Sequence, residues 1–125
     1  ERSEIASVYN GIPQNNIGLR TDVLDGCLKR DGILMLIRSM SPDVIATDEI
    51  GKSEDIDAIY EALNTGINLI STVHGDDLED VLNKKYLGEI IKEGIFKRII
   101  ILDKSRGVGT VNDILDGNTL KSILY

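Results

Sequence analysis

Two adjacent carboxylates, Asp48 and Glu49, are the residues of this chain best suited to carry chemistry. They follow the short apolar run Val44–Thr47, and Gly51 comes soon after them. A buried parallel strand that ends in this way delivers its acids to the carboxyl edge of a sheet, where open α/β sheets bind ligands. One acid could hold Mg²⁺ through water while the other polarises a water molecule for attack on a phosphate. Acid pairs after apolar runs also occur as helix-capping or loop features, so other residues must decide between these two interpretations.

Three further residues could complete such a site, and each also has an ordinary structural interpretation. His74, the single histidine, ends an apolar run and could donate to a phosphate, or it could be a surface residue. Arg20 follows a turn and could reach a transferring phosphate in a neighbouring subunit, or it could be solvated. Arg38 lies among aliphatic neighbours on the preceding helix and therefore needs an anionic partner, which could be a ligand or a sheet-edge acid.

A phosphate-cradling glycine-rich loop is missing from these 125 residues. The triplet Gly51-Lys52-Ser53 resembles the end of such a loop, but Ala46 stands where its first glycine should be. The triplet therefore indicates a strand-to-helix connection. Gly107-Val108-Gly109 lacks a third glycine, because Asn112 stands in its place, so it indicates a turn.

The elements that would position these residues alternate between helix and strand. Apolar spacing, Pro42 and the glycines predict the order helix, strand, helix, strand, helix, strand, strand. The corresponding residues are 24–40, 44–49, 53–65, 67–74, 76–94, 95–102 and 110–115, and the segment 76–94 is expected to contain a helix that begins at Asp76 or Asp77 and a further short helix that runs to Gly94. The first helix is expected to be interrupted near Gly32, and residues 1–16 to be irregular. The two middle strands lack polar alternation, which predicts that both of their faces are covered. The fold class is α/β, with a mostly parallel sheet and a C-terminal antiparallel hairpin at about residues 95–115.

Composition restricts the partners. Hydrophobic residues make up 42% of the chain and the net charge is −7, which argues against nucleic acid or an anionic membrane surface as the main partner. One cysteine excludes an internal disulfide and favours a cytoplasmic protein. No apolar run approaches the ~18 residues of a membrane span. Because the chain begins at Glu1 without methionine, we expect it to start inside a longer protein.

Several sequence blocks resemble the secretion-type ATPases that drive type II secretion, type IV pili and type IV secretion. A helix with an arginine leads through Pro42-Asp43 into the acid strand, Asn64-Thr65-Gly66 ends the next helix, and Thr72-Val73-His74 follows. Within that superfamily the chain is most similar to the stage III sporulation protein AA family of endospore-forming bacteria. The blocks that carry this likeness are residues 1–6, 18–26, 37–42, 48–51 and 72–75.

This resemblance implies a role for each candidate residue. The fold would be part of a RecA-like P-loop ATPase domain, with residues 1–125 as its C-terminal portion, the Walker B strand at about 44–49 and the sensor strand at about 67–74. Asp48 would organise Mg²⁺, and Glu49 would activate water. His74 would be a sensor, and Arg20 would act in trans on the site of a neighbouring subunit. Glu4, in an acidic box, would be a catalytic residue. Arg38 and Glu1 would bind the nucleotide.

The resemblance also implies a function. The full-length protein would be an ATP-hydrolysing, Mg²⁺-dependent motor that assembles with itself as a ring, expected to be a hexamer. It would energise a sporulation-specific transport or channel complex through a membrane-embedded platform protein, on the mother-cell side of the forespore membrane. The phosphate loop would lie upstream of Glu1, so the chain alone should neither bind ATP tightly nor hydrolyse it. Two alternatives stay open: a non-catalytic assembly or docking module that keeps the fold, and a P-loop ATPase of another branch.

Overall fold

The computed structural model describes residues 2–124, which form two compact units that divide after Gly75. The first unit has two helices and four strands: β1 (Val8–Tyr9), β2 (Ile12–Pro13), α1 (Lys29–Met40), β3 (Val44–Thr47), α2 (Ser53–Asn64) and β4 (Asn68–Ser71). The second unit has two short helices and two strands: α3 (Leu78–Asn83), α4 (Leu87–Lys92), β5 (Arg98–Asp103) and β6 (Thr110–Asp116). Hydrogen bonds join the described strands into three two-stranded sheets, β1–β2, β3–β4 and β5–β6.

The first helix begins later than its sequence predicts. Gly26 adopts a φ of 72°, in the left-handed region that glycine tolerates, and α1 begins only at Lys29. Gly32 does not interrupt the helix but lies buried inside it, because the preceding segment folds back against it: a Cβ at Gly32 would stand 3.0 Å from the Cys27 sulfur. Ser41 ends α1 in the left-handed conformation, since Pro42 disfavours helix at the residue before it.

Strands β3 and β4 form the predicted parallel pair, with Val44 opposite Asn68 and Thr47 opposite Ser71. One face of this pair packs on α1 and α2 in a cluster of aliphatic side chains: Ile33, Leu36, Ile37, Ile45, Ala58, Ala62, Ile67 and Leu69. The other face is open, with Val44 47% and Ile70 63% exposed. The expectation that both faces are covered is therefore wrong for the described residues, because α1 and α2 pack on a single side of the pair.

Helix α2 shows why the chain turns back into β4. Ile56, Ile59 and Ala62 recur at helical spacing and are all buried. The helix ends at Asn64, and Gly66 follows with a φ of 83°. The N–H of Ile67 then donates to the carbonyl oxygen of Ala62 at 3.1 Å, which directs the chain into the strand.

The second unit begins with a capped helix. The side chain of Asp77 accepts a hydrogen bond from the N–H of Asp80 at 2.8 Å, which satisfies one of the free donors at the start of α3. Val81, Leu87 and Ile90 are buried and form the apolar face of α3 and α4. Within residues 2–124, no helix is long and apolar enough to cross a membrane.

The predicted antiparallel hairpin is present as β5 and β6, with a register shift between Ile101 and Leu102. At the end of β5, the N–H and then the hydroxyl of Ser105 donate to Asp103 and hold its pKa below the ordinary value. At the end of β6, the backbone N–H groups of Thr119 and Asn118 lower the pKa of Asp116 in the same way. These carboxylates fix the turns that follow the two strands.

The observed architecture is thus a mixed α/β arrangement of short sheets. Of the three described strand pairs, one is parallel and two are antiparallel, so the sheet is not mostly parallel in this part of the chain. The pair β1–β2 lies in the segment that was expected to be irregular. A RecA-like fold and a single domain over residues 1–125 stay predictions.

Candidate functional site

The acid pair lies where the sequence predicts it, directly after the carboxyl end of β3. The side chain of Asp48 is 22% exposed, and Glu49 is exposed. Glu49 has a φ of 39°, a left-handed conformation that is uncommon for a residue with a side chain. A strained acid at the edge of a parallel sheet is typical of residues whose position matters more for chemistry than for stability.

Thr72 fixes this conformation from the neighbouring strand. The N–H of Glu49 donates to the Thr72 hydroxyl at 3.0 Å, and the N–H of Ile50 donates to the Thr72 carbonyl oxygen at 3.1 Å. Since β3 and β4 are parallel, their carboxyl ends meet at one edge, and these bonds join the two ends. Ile50 is buried, which anchors the chain immediately after the acids.

Lys29 is a site residue that the sequence analysis did not assign to the acid pair. Its Nζ donates to the Glu49 carbonyl oxygen at 2.9 Å and lies 3.8 Å from Oδ1 of Asp48, and its side chain is only 10% exposed. One signal could have revealed it. A lysine in the first turn of a helix opposes the helix dipole, and the start of α1 must lie beside the end of β3 when the helix packs antiparallel to the strand.

The loop after the acids is held by Asp55. This carboxylate is 5% exposed, and its Oδ2 accepts hydrogen bonds from the N–H groups of Gly51 at 3.4 Å and Lys52 at 3.3 Å. The segment Gly51-Lys52-Ser53 is therefore the strand-to-helix connection that the sequence indicates. Lys52 rather than Ser53 takes the N-cap position of α2.

His74 follows the carboxyl end of β4, three residues beyond Ser71, and is exposed. His74 therefore follows β4 at the same end of the parallel pair at which Asp48 and Glu49 follow β3. The prediction that His74 follows the strand next to the acid strand is met, because β3 and β4 are parallel neighbours. Its role as a sensor stays a prediction.

Glu4 and Arg20 share a cavity with Asp48. This cavity, of about 610 Å³, runs along β3 and is also lined by Lys29. Both Glu4 and Arg20 are exposed side chains. Glu4, Arg20 and Asp48 therefore line one cavity, whereas Glu49, His74 and Arg38 are not among its lining residues.

Arg38 lies away from the acid pair. It is in the last turn of α1, nine residues beyond Lys29, which corresponds to about 13 Å along the helix axis. It is exposed, so the premise that its charge is buried among aliphatic neighbours is wrong: the apolar face of α1 turns toward the core and Arg38 lies outside it. Its assignment to nucleotide binding stays a prediction.

Glu1, the other residue assigned to nucleotide binding, lies outside the described residues.

The donor set can be compared with what Mg²⁺ requires. Residues 2–124 contain no group of three or more metal-binding side chains. Mg²⁺ that is bound to a nucleotide keeps several waters and takes one or two carboxylates together with phosphate oxygens. Asp48, half-buried and already beside one cation, is the residue that would hold it.

Comparison with known proteins identifies related sequences. The family model "Sporulation stage III, protein AA" matches residues 1–121. Stage III sporulation protein AA of Bacillus subtilis (strain 168) is 47% identical over 122 residues, which are 96% of this chain and 40% of that relative. The chain thus spans less than half the length of the curated relative that it matches. No solved structure matches the chain.

Proposed function

The chain belongs to the "Sporulation stage III, protein AA" family, and from this premise we propose that the full-length protein is an ATP-hydrolysing motor that acts in sporulation. The motor would energise a transport or channel complex at the forespore membrane. It would work in the cytoplasm on the mother-cell side, in contact with a membrane-embedded platform protein, and it would resemble secretion ATPases in assembling as a ring, proposed to be a hexamer.

One observation carries this proposal: an acid pair at the carboxyl edge of a parallel strand pair is held by contacts from two other elements. Thr72, directly after the end of β4, accepts a hydrogen bond from the Glu49 N–H, and Lys29 of α1 donates to the Glu49 carbonyl oxygen. The positive φ of Glu49 is held by two hydrogen bonds, which supports a fixed position for this acid. These contacts give the backbone of Glu49 a defined position at the carboxyl edge of the strand pair.

Each residue would have one task in hydrolysis. Bound Mg²⁺ would neutralise charge on the nucleotide phosphates. Asp48 would hold the water shell of that ion, and Glu49 would accept a hydrogen bond from the attacking water and orient it. Arg20 would offset phosphate charge across a subunit boundary, and His74 would respond to the state of the nucleotide. The phosphate loop is proposed to lie in the part of the longer protein that this chain does not contain.

The test is phosphate release by the full-length protein. Glu49→Gln keeps the size of the side chain but removes the base, so turnover should fall by about 100-fold or more while nucleotide binding persists. Glu54→Gln is a matched control, because Glu54 is exposed on the first turn of α2. Turnover that is equally high in wild type and Glu49→Gln would reject Glu49 as the catalytic acid.

A second candidate function is a non-catalytic assembly or docking module. It is favoured by the open face of the β3–β4 pair, where Val44 and Ile70 are exposed apolar side chains. In that case the acids would be vestigial, and full-length protein would show no nucleotide-dependent activity at any Mg²⁺ concentration. A glycine-rich phosphate loop after a predicted strand in the longer coding sequence would favour the motor.

A further inference from the structure

The ammonium group of Lys29 lies beside both members of the acid pair. It lies 3.8 Å from Asp48 Oδ1 and 2.9 Å from the Glu49 carbonyl oxygen, with 10% of the side chain exposed. It therefore contacts both acids, one through its carboxylate and the other through its backbone.

This placement is costly for the fold taken by itself. A lysine in the first helical turn faces the positive end of the helix dipole, which Asp31 in the same turn offsets only in part, and α1 has no side-chain cap. A lysine side chain that is only 10% exposed also loses hydration, which close partners must replace. Contacts with Asp48 and Glu49 offset these costs, so we relate the position of the Lys29 charge to the acid pair.

We propose that Lys29 is a positioning residue that balances the charge of Asp48 when no nucleotide is bound, and that the Mg²⁺ of an arriving nucleotide competes with it for this carboxylate. The inference rests on the proposed function and adds a means of regulation to the same site. Two cations beside one carboxylate repel each other, so each weakens the binding of the other. Mg²⁺ would then bind tightly at Asp48 only together with the nucleotide phosphates, which supply further negative charge.

The proposal has a measurable consequence because coupling between ligands is reciprocal. Mg²⁺ strengthens nucleotide binding in part through its contact with Asp48, and Lys29 reduces that gain. If the charge at position 29 is removed, the gain should rise. A lysine whose role was only to join α1 to β3 would change stability but not this gain.

The experiment compares binding of a fluorescent ADP analogue to the full-length protein in excess Mg²⁺ and in EDTA. The ratio of the two dissociation constants is the Mg²⁺ gain. Lys29→Met should increase this ratio by roughly three- to tenfold, the range for a partly screened charge pair. Lys29→Arg should leave it close to wild type, because the charge and a hydrogen-bond donor remain.

Lys84→Met is a matched control for the same chemical change. Lys84 forms an ion pair with Asp80 at 3.7 Å that involves neither acid of the site, and both side chains are well exposed. Its ratio should equal that of the wild type. If Lys29→Met does not fold, Lys29→Gln removes the same charge with a polar side chain and provides the same comparison.

Three results would overturn the proposal. An unchanged ratio in the folded, charge-free variant would show that Lys29 does not compete with Mg²⁺. A lowered thermal midpoint with an unchanged ratio would assign Lys29 a structural role only. Both results leave the proposed ATPase intact, since wild type still binds the nucleotide. Absence of nucleotide binding in wild type under both conditions would instead remove the proposed function and this inference together.

Discussion

The left-handed conformation of Glu49 leads to a prediction about stability that does not depend on any ligand. With a φ of 39°, Glu49 lies where a residue with a Cβ is disfavoured by about 1–2 kcal/mol, whereas glycine is not. Glu49→Gly and Glu49→Ala both remove the carboxylate, and only the glycine variant also removes the strain. The difference in unfolding free energy between these two variants therefore isolates the backbone conformation.

The expected difference follows from two opposing contributions. Glycine gains about 1–2 kcal/mol from the relieved conformation, and it loses roughly 0.5–1 kcal/mol because its unfolded chain has more freedom. Glu49→Gly should thus be about 0.5–1 kcal/mol more stable than Glu49→Ala. At Glu61, an exposed position inside α2, the same two substitutions should give the opposite order, with glycine about 1 kcal/mol less stable than alanine.

The assay is urea unfolding of the chain, followed by far-ultraviolet circular dichroism. With a denaturant dependence of about 1–3 kcal/mol per molar urea, the midpoint of Glu49→Gly should lie roughly 0.2–1 M above that of Glu49→Ala. The Glu61 pair provides the control for the intrinsic cost of glycine. If Glu49→Gly is no more stable than Glu49→Ala while the Glu61 pair behaves as expected, the strained conformation is not a property of the protein in solution.

Three other contacts give direct tests. Thr72→Val should cost about 1–2 kcal/mol, because the N–H of Glu49 loses its acceptor, and it should lower turnover of the full-length protein, whereas Thr72→Ser should restore both. Asp55→Ala should cost about 1–3 kcal/mol in urea unfolding, since two backbone N–H groups lose a buried acceptor. The Thr119 N–H lowers the pKa of Asp116. The Asp116 carboxylate therefore stabilises the fold at pH values above its pKa in the unfolded chain, and this stabilisation is lost as the pH falls through its pKa in the folded protein. When the unfolding free energy is followed during acid titration, Asp116→Asn should not show this loss of stability.

The sequence identified the parts of the fold that local patterns determine. Apolar runs, Pro42 and Gly66 give the order of helices and strands correctly from α1 onward, and the acid pair does follow a parallel strand, but the pair β1–β2 was not predicted. The start of α1 was missed because it depends on Gly26 and on a segment folding back over Gly32, which apolar spacing does not report. The open face of the β3–β4 pair was also missed, because an apolar run does not show which of its faces finds a partner.

The site could be predicted only where its residues follow one another along adjacent strands. Thr72 and Glu49 meet because parallel neighbouring strands end together. Lys29 reaches Glu49 across 20 positions of sequence, a contact that depends on how α1 packs against β3. The same packing places Arg38, in the last turn of α1, away from the carboxyl edge of the strand pair. A helix that returns antiparallel to its strand brings its first residue, not its last, to the carboxyl edge.

The nucleotide that remains bound to full-length Glu49→Gln tests the central claim most directly. The protein is incubated with Mg²⁺ and ATP, separated from free nucleotide, and the bound nucleotide is identified by chromatography. If Glu49 orients the attacking water, the variant should retain mainly unhydrolysed ATP, and the wild type should retain ADP or none. Mainly ADP on the variant, formed as fast as on wild type, would contradict the assignment of Glu49 and of the acid pair as the hydrolytic half of an ATP site.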